Sequence, residues 1–242
     1  MGPTGGEALA CKPSGTEGYD GRGLAEDFRQ LVKQIGFGHG RPLVLVAHDM
    51  GAPPALLWAA DHPAEIAGLL YIEVPVMLSE VLTKIIAYTP EAMKKNGSMW
   101  WWILPFAQDV PERLIVGNER AFLTWFYEGA TVNHKAIDAT AVNEYLRTFS
   151  GREGVLGALG LYRAAFTTIA QTTPLMKNKV EVPIVALGGE KANGARVREM
   201  VEMIAKNVDG GSIPDCGHFV PEERPEELVS HIKRLVAKVA GV

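Results

Sequence analysis

The stretch that most narrows the fold is residues 43–52, LVLVAHDMGA. Leu43 to Ala47 shows no alternation of apolar and polar residues, as expected of a strand covered on both faces in a parallel sheet. His48 and Asp49 follow directly, and Pro53 and Pro54 stand just beyond Gly51. Proline is tolerated in the first turn of a helix and not in its interior, so a helix must begin near residues 49–51. It is expected to run to about Asp61 and to end before His62-Pro63. A buried strand thus turns sharply into a helix, with the carboxylate of Asp49 at the tip.

The remainder of the chain extends this pattern. Leu24, Phe28, Leu31, Val32 and Ile35 recur at helical spacing, and GFGHG ends that run. GLLYIEV reads as a second buried strand. Between residues 76 and 174 helical periodicity dominates and strand signals vanish. VPIVALGG then reads as a strand, ARVREMVEMIAKNV as a helix, GGSIPD as a short strand and PEELVSHIKRLVAKV as a final helix. The expectation is an α/β fold with a parallel sheet, its core built from residues 1–75 and 175–242 and a helical cap, or lid, inserted as 76–174. Residues 1–21 are rich in Gly, Pro, Ser and Thr and read as loop.

Composition sets the outer limits. A chain of 242 residues, 47% hydrophobic, has ample material for one core and too little for two domains. The net charge is −4 and the basic residues are scattered, which argues against nucleic acid or an anionic membrane as partner. No apolar run is long enough to span a bilayer, and the start has no charged leader followed by an apolar segment. A cytoplasmic protein is therefore expected. Cys11 and Cys216 have neither metal nor redox spacing.

Three side chains stand where chemistry is expected. The frame Ala47-His48-Asp49-Met50-Gly51 fits a nucleophile elbow, in which small neighbours accommodate a strained, closely packed turn. The helix that follows turns its N–H groups toward any negative charge developing at the tip. Asp at a helix start is also an ordinary N-cap, so the reading gains force only from partners elsewhere. His218, in DCGHFVP after a late strand and before the last helix, stands where an activating base belongs. A carboxylate must hold its ring, and Glu73 at the end of the second strand ranks above Glu190 in GGEKANG.

The motifs AHDMG, YIEVP, LYRAA and CGHFVPEE together resemble the α/β-hydrolase superfamily, within the group of epoxide hydrolases and haloalkane dehalogenases. The resemblance runs from about residue 10 to the C-terminus. It implies that Asp49 attacks an epoxide carbon to form an alkyl ester, and that His218, oriented by Glu73, activates the water that hydrolyses it. Asp in place of Ser fits alkyl transfer, because the enzyme's own ester carbonyl is then open to water. No cofactor or metal is implied, and the partner is a small apolar epoxide-like substrate. In LGLYRAAFTT the resemblance matches the proton-donating tyrosine to Tyr162. The second donor of the family falls at Trp102 in MWWWILPF, and an indole cannot supply a proton at neutral pH. His48, Met50, Trp101 and Trp102 are expected around the oxyanion and the substrate. The alternative is a haloalkane dehalogenase-type hydrolase. Against it, Met50 stands where those enzymes usually place a halide-binding Trp, and Met50 and Pro53 stand where fluoroacetate dehalogenases place arginines.

In the slot that usually carries the acid after the third strand stands Ala192. The family also begins with strands for which no strand-like run precedes Leu43, and His39-Gly40-Arg41-Pro42 matches an H-G-x-P oxyanion loop in letters but not in position. The chain is therefore expected to enter the fold midway, with the Met50 N–H as the remaining oxyanion donor. Losing one donor costs about 100- to 1,000-fold in rate. The strand at Leu43 is then expected to be a bare edge open to pairing with a second copy, so a homo-oligomer, or an impaired member acting as a binding protein, is also allowed.

Overall fold

The computed structural model describes residues 16–90 and 100–241. The loop expected at residues 1–15, with Cys11, lies outside them. Helix α1 (Gly21–Gln34) opens the described part, capped by the Asp20 side chain on Gly23 N. Strand β1 (Leu43–His48) then leads through a 3-10 turn, Asp49–Gly51, into α2 (Ala52–Asp61), with both prolines in its first turn. Strand β2 (Ile66–Ile72) is followed by α3 (Ser79–Ile85) and by 3-10 turns at Trp100–Trp102 and Leu104–Phe106. Five helices come next: α4 (Val110–Ile115), α5 (Glu119–Ala130), α6 (Ala139–Phe149), α7 (Gly151–Arg163) and α8 (Ala165–Thr172). The chain closes with β3 (Ile184–Gly189), α9 (Arg196–Glu202), β4 (Val208–Ile213), the short α10 (Val220–Glu223) and α11 (Pro225–Ala240).

The four strands form one parallel sheet in the order β1-β2-β3-β4. Strand β2 is central, and its alternate side chains serve the two faces. Leu69 and Tyr71 join Leu56, Leu57, Val197 and Val201 on the side of α2 and α9, whereas Leu70 and Ile72 join Leu228 and Leu235 of α11. Each fully buried Leu or Ile of this kind contributes about 1.5–3 kcal/mol. With both faces covered, the unbroken apolar run of β2 is what the sheet requires. All four strands point the same way, so Asp49, Glu73, and the loops after β3 and β4 meet at one rim.

The apolar positions of α1 are only partly covered: Val32 packs against the core cluster, whereas Phe28, Leu31 and Ile35 are 51–65% exposed and the buried positions are Gly21 and Ala25. Close approach decides this, since a Cβ at Gly21 would come within 2.5 Å of Leu57 and 3.0 Å of Thr168. Strand β4 also starts earlier than GGSIPD, at Val208; Gly210 and Gly211, with φ of 108° and 150°, obscure it in the sequence. Strand β1 is the sheet's edge among the described residues, and Val46 on it is 46% exposed.

Candidate active site

Asp49 is held at φ 48°, in the left-handed region that an L-residue enters at a cost of about 1–2 kcal/mol. The strained turn lifts its carboxylate off the strand end. Glu73, one residue beyond β2, has φ 55°, and Asp215, at the head of the histidine loop, has φ 47°. Three of the five non-glycine residues with positive φ among the described residues thus stand at tips that meet at the rim, the other two being His39 and Asp109. The tight packing expected at Gly51 is not found: a Cβ there would meet nothing within 4 Å among the described residues.

These tips bring three predicted residues together. His218 Nδ1 donates to Glu73 Oε2 at 3.2 Å, and His218 Nε2 lies 3.7 Å from Asp49 Oδ2. Glu73 is fully buried, so its charge needs partners, and it has them. Besides His218, its oxygens accept from Gly189 N at 2.7 Å, Asn193 N at 3.0 Å and Asn193 Nδ2 at 2.9 Å. Glu190 turns elsewhere, accepting from Asp215 N at 3.1 Å and pairing with Lys191 at 3.3 Å. Asn193 escaped the sequence reading. It sits one residue past Ala192, and a neutral amide there carries no pattern of its own.

His48 is a brace, with its Nε2 donating to the His218 carbonyl at 2.8 Å and its ring 4.8 Å from that of His218. Burial, and then the charge on His218, push its pKa down and keep it neutral. Met50 packs against a small apolar cluster of Met77, Leu82, Trp102, Ala165 and Ile169, which Trp101 and Tyr162 also join. Trp102 is buried and meets the Tyr162 ring edge-on, with centroids 5.3 Å apart. The aromatics between β2 and β3 do not all face inward: Phe106 packs on Phe166, and both are exposed.

Electrostatics follow from this packing. Burial disfavours a charge on His218, but the Asp49 and Glu73 carboxylates overcome it and raise the pKa to about 10. Burial would raise the Asp49 carboxyl, yet the charge and hydrogen bond of His218, helped by His48 and the Met50 N–H, hold it below its usual range. Burial and the Asp49 charge push the Tyr162 hydroxyl far above its ordinary value, so it keeps its proton. The resting site is therefore an imidazolium between two carboxylates. Because the His218 pKa is raised on folding, its contribution to stability is complete below about 6.5 and is lost as pH rises through about 10. By imidazole NMR, His218 is expected to remain protonated well above neutral pH, and Asp49→Asn to bring its titration back toward the ordinary histidine range. A wild-type midpoint near the ordinary value would contradict this arrangement. Among the described residues no group of side chains could hold a metal ion, and no helix is long and apolar enough to cross a membrane. Cys216 is buried, and that burial with the charge of Glu223 pushes its thiol up to about 12.

Known proteins supply the context. The soluble epoxide hydrolase of Corynebacterium sp. (strain C12) is 24% identical over 223 residues, covering 88% of this chain and 72% of the relative. The fluoroacetate dehalogenase of Burkholderia sp. is 22% identical over 228 residues, covering 90% of this chain and 70% of that protein. The chain spans 58% and 56% of two longer epoxide hydrolases. In fold it is similar to Cfl2 from Burkholderia cenocepacia, with a TM-score of 0.81 and 27% identity over 92% of this chain and 73% of that one. The family model described as "Alpha/beta hydrolase family" matches residues 6–231. With that match over nearly the whole length, and epoxide hydrolases among its relatives, the chain belongs to the alpha/beta hydrolase family of enzymes.

Proposed function

We propose that this protein opens epoxides to vicinal diols through a covalent ester on Asp49. The observation that carries the reading is a carboxylate at the elbow within 3.7 Å of a histidine that a second, buried carboxylate holds. Asp49 attacks a ring carbon; the carbon–oxygen bond breaks, and its electron pair moves to the epoxide oxygen, which takes the Tyr162 proton. Forming the ester removes the Asp49 charge, so the pKa of His218 falls, and the ring gives its proton through solvent to the Tyr162 phenolate and becomes a base. Its Nε2 then takes a proton from water while the hydroxide attacks the Asp49 carbonyl carbon. The Met50 N–H, already directed at the Asp49 carboxylate, supports the oxyanion. Collapse breaks the bond between the carbonyl carbon and the ester oxygen, which takes the proton left on the attacking oxygen, so the diol departs and Asp49 and the imidazolium are restored. Both protons and the added water are accounted for.

Repeated turnover in heavy-oxygen water is expected to place label in the Asp49 carboxylate, read by peptide mass spectrometry. Asp49→Ala should take up none at that position. Diol formation without label at Asp49 would mean that water attacks the epoxide directly.

Trp102, beside Tyr162 with ring centroids 5.3 Å apart, carries an indole N–H that can donate to a halide but supplies no proton, and a second reading is a halide as the departing group. Release of bromide from a bromoalkane, without hydrolysis of an epoxide, would select it.

A further inference from the structure

A second buried carboxylate lies beside the histidine loop and has no part in the steps above. Glu223, in α10, is 6% exposed. Its Oε1 accepts from Gly217 N at 2.8 Å, while its Oε2 accepts from Val132 N at 2.7 Å and Asn133 N at 3.0 Å. Gly217 immediately precedes His218, whereas Val132 and Asn133 follow α5 in the helical segment between β2 and β3. One carboxylate thus holds both sides, one oxygen to each. The main chains also touch: His218 N donates to Ala130 O at 2.8 Å, and a Cβ on Gly217 would lie 2.2 Å from that same oxygen. On the flank, Tyr145 of α6 hydrogen-bonds to Glu222, and Tyr127 of α5 meets Phe219 edge-on with centroids 5.2 Å apart.

The two half-reactions ask different things of His218. Ester formation needs Asp49 and a proton donor, and the imidazole takes no proton. Ester hydrolysis needs Nε2 aimed at a water beside the Asp49 carbonyl, where a misplacement of about 1 Å can cost about 100-fold. We propose that Glu223 is a positioning residue for His218: it fastens residues 130–133 to the histidine loop, and ester hydrolysis, rather than ester formation, depends on that tie. The inference rests on the mechanism proposed above.

Glu223→Gln is the test, because the amide keeps the shape but turns an NH2 group toward backbone N–H donors. With excess styrene oxide as probe, rapid-quench mass spectrometry of the whole protein follows growth and decay of the ester. The variant is expected to form ester at a rate close to wild type and to hydrolyse it about 10- to 100-fold more slowly, so that the adduct accumulates. Amide hydrogen exchange should quicken together at residues 132, 133 and 217. Equal slowing of both steps, or a smaller reacting fraction with both rates intact, would reduce Glu223 to a structural role and overturn the inference. If Glu223→Gln does not fold, Glu223→Asp, one methylene shorter, carries the same expected split. His218→Gln separates the two levels. If it builds up no ester while the wild type turns over, the mechanism itself fails. If it does build up ester while the Glu223 variants slow both steps equally, this inference alone fails.

Discussion

His218→Gln is expected to stall the protein as an ester of Asp49. Turnover should fall by about 10,000-fold or more, as when a member of a catalytic triad is removed. One equivalent of substrate should stay bound, its mass found on the peptide that carries Asp49. The reason is the order of events. In the wild type His218 holds the attacking carboxylate ionised, and in the variant His48 and the Met50 N–H still favour its charge. Glutamine can donate a hydrogen bond to Asp49 in place of the imidazolium, but it cannot accept a proton from water. A variant that loses turnover and holds no adduct would place histidine in the first step and require a different mechanism.

Glu73→Gln is expected to act on both activity and stability. The Glu73 carboxylate accepts from Gly189 N, from Asn193 N and Nδ2, and from His218 Nδ1. An amide offers one acceptor oxygen and brings two N–H donors into a ring of donors. At least one buried group is then left unpaired, which costs about 1–3 kcal/mol. His218 also loses the partner that fixes which ring nitrogen faces Asp49, an effect worth about 10,000-fold where the corresponding Asp is made Asn in a serine protease. A thermal melt and a steady-state rate measure the two losses. Glu190→Gln is the control: Glu190 is half exposed and paired with Lys191, so its loss should change turnover little. A larger effect at Glu190 than at Glu73 would reverse the choice of acid.

The frame of the site was legible because each of its parts obeys a local rule. An unbroken apolar run, a tight turn and paired prolines fix Leu43 to Asp61 with no knowledge of the rest of the chain. Glu73 could be read because a carboxylate closing a buried strand demands a partner. What stayed hidden depends on neighbours that are distant in sequence. The period of α1 defines an apolar face, but Gly21, against Leu57 and Thr168, and the buried Ala25 decide which way the helix turns. Asn193 and Glu223 act by meeting Glu73 and the residues at 132, 133 and 217, and no spacing along the chain announces that. Strand β4 was foreshortened because its glycines adopt backbone angles that side-chain patterning does not report.

The tip of β3 passes so near the histidine loop that a Cβ on Gly189 would sit 1.8 Å from the Gly217 carbonyl. Gly189 is also a donor to Glu73, so Glu73 and His218 are spaced by two bare main chains in touch with each other. Drift in the surrounding side chains can therefore reshape what the site admits while leaving that interval as it is. A lineage built on this frame is free to change its substrate long before it changes its chemistry.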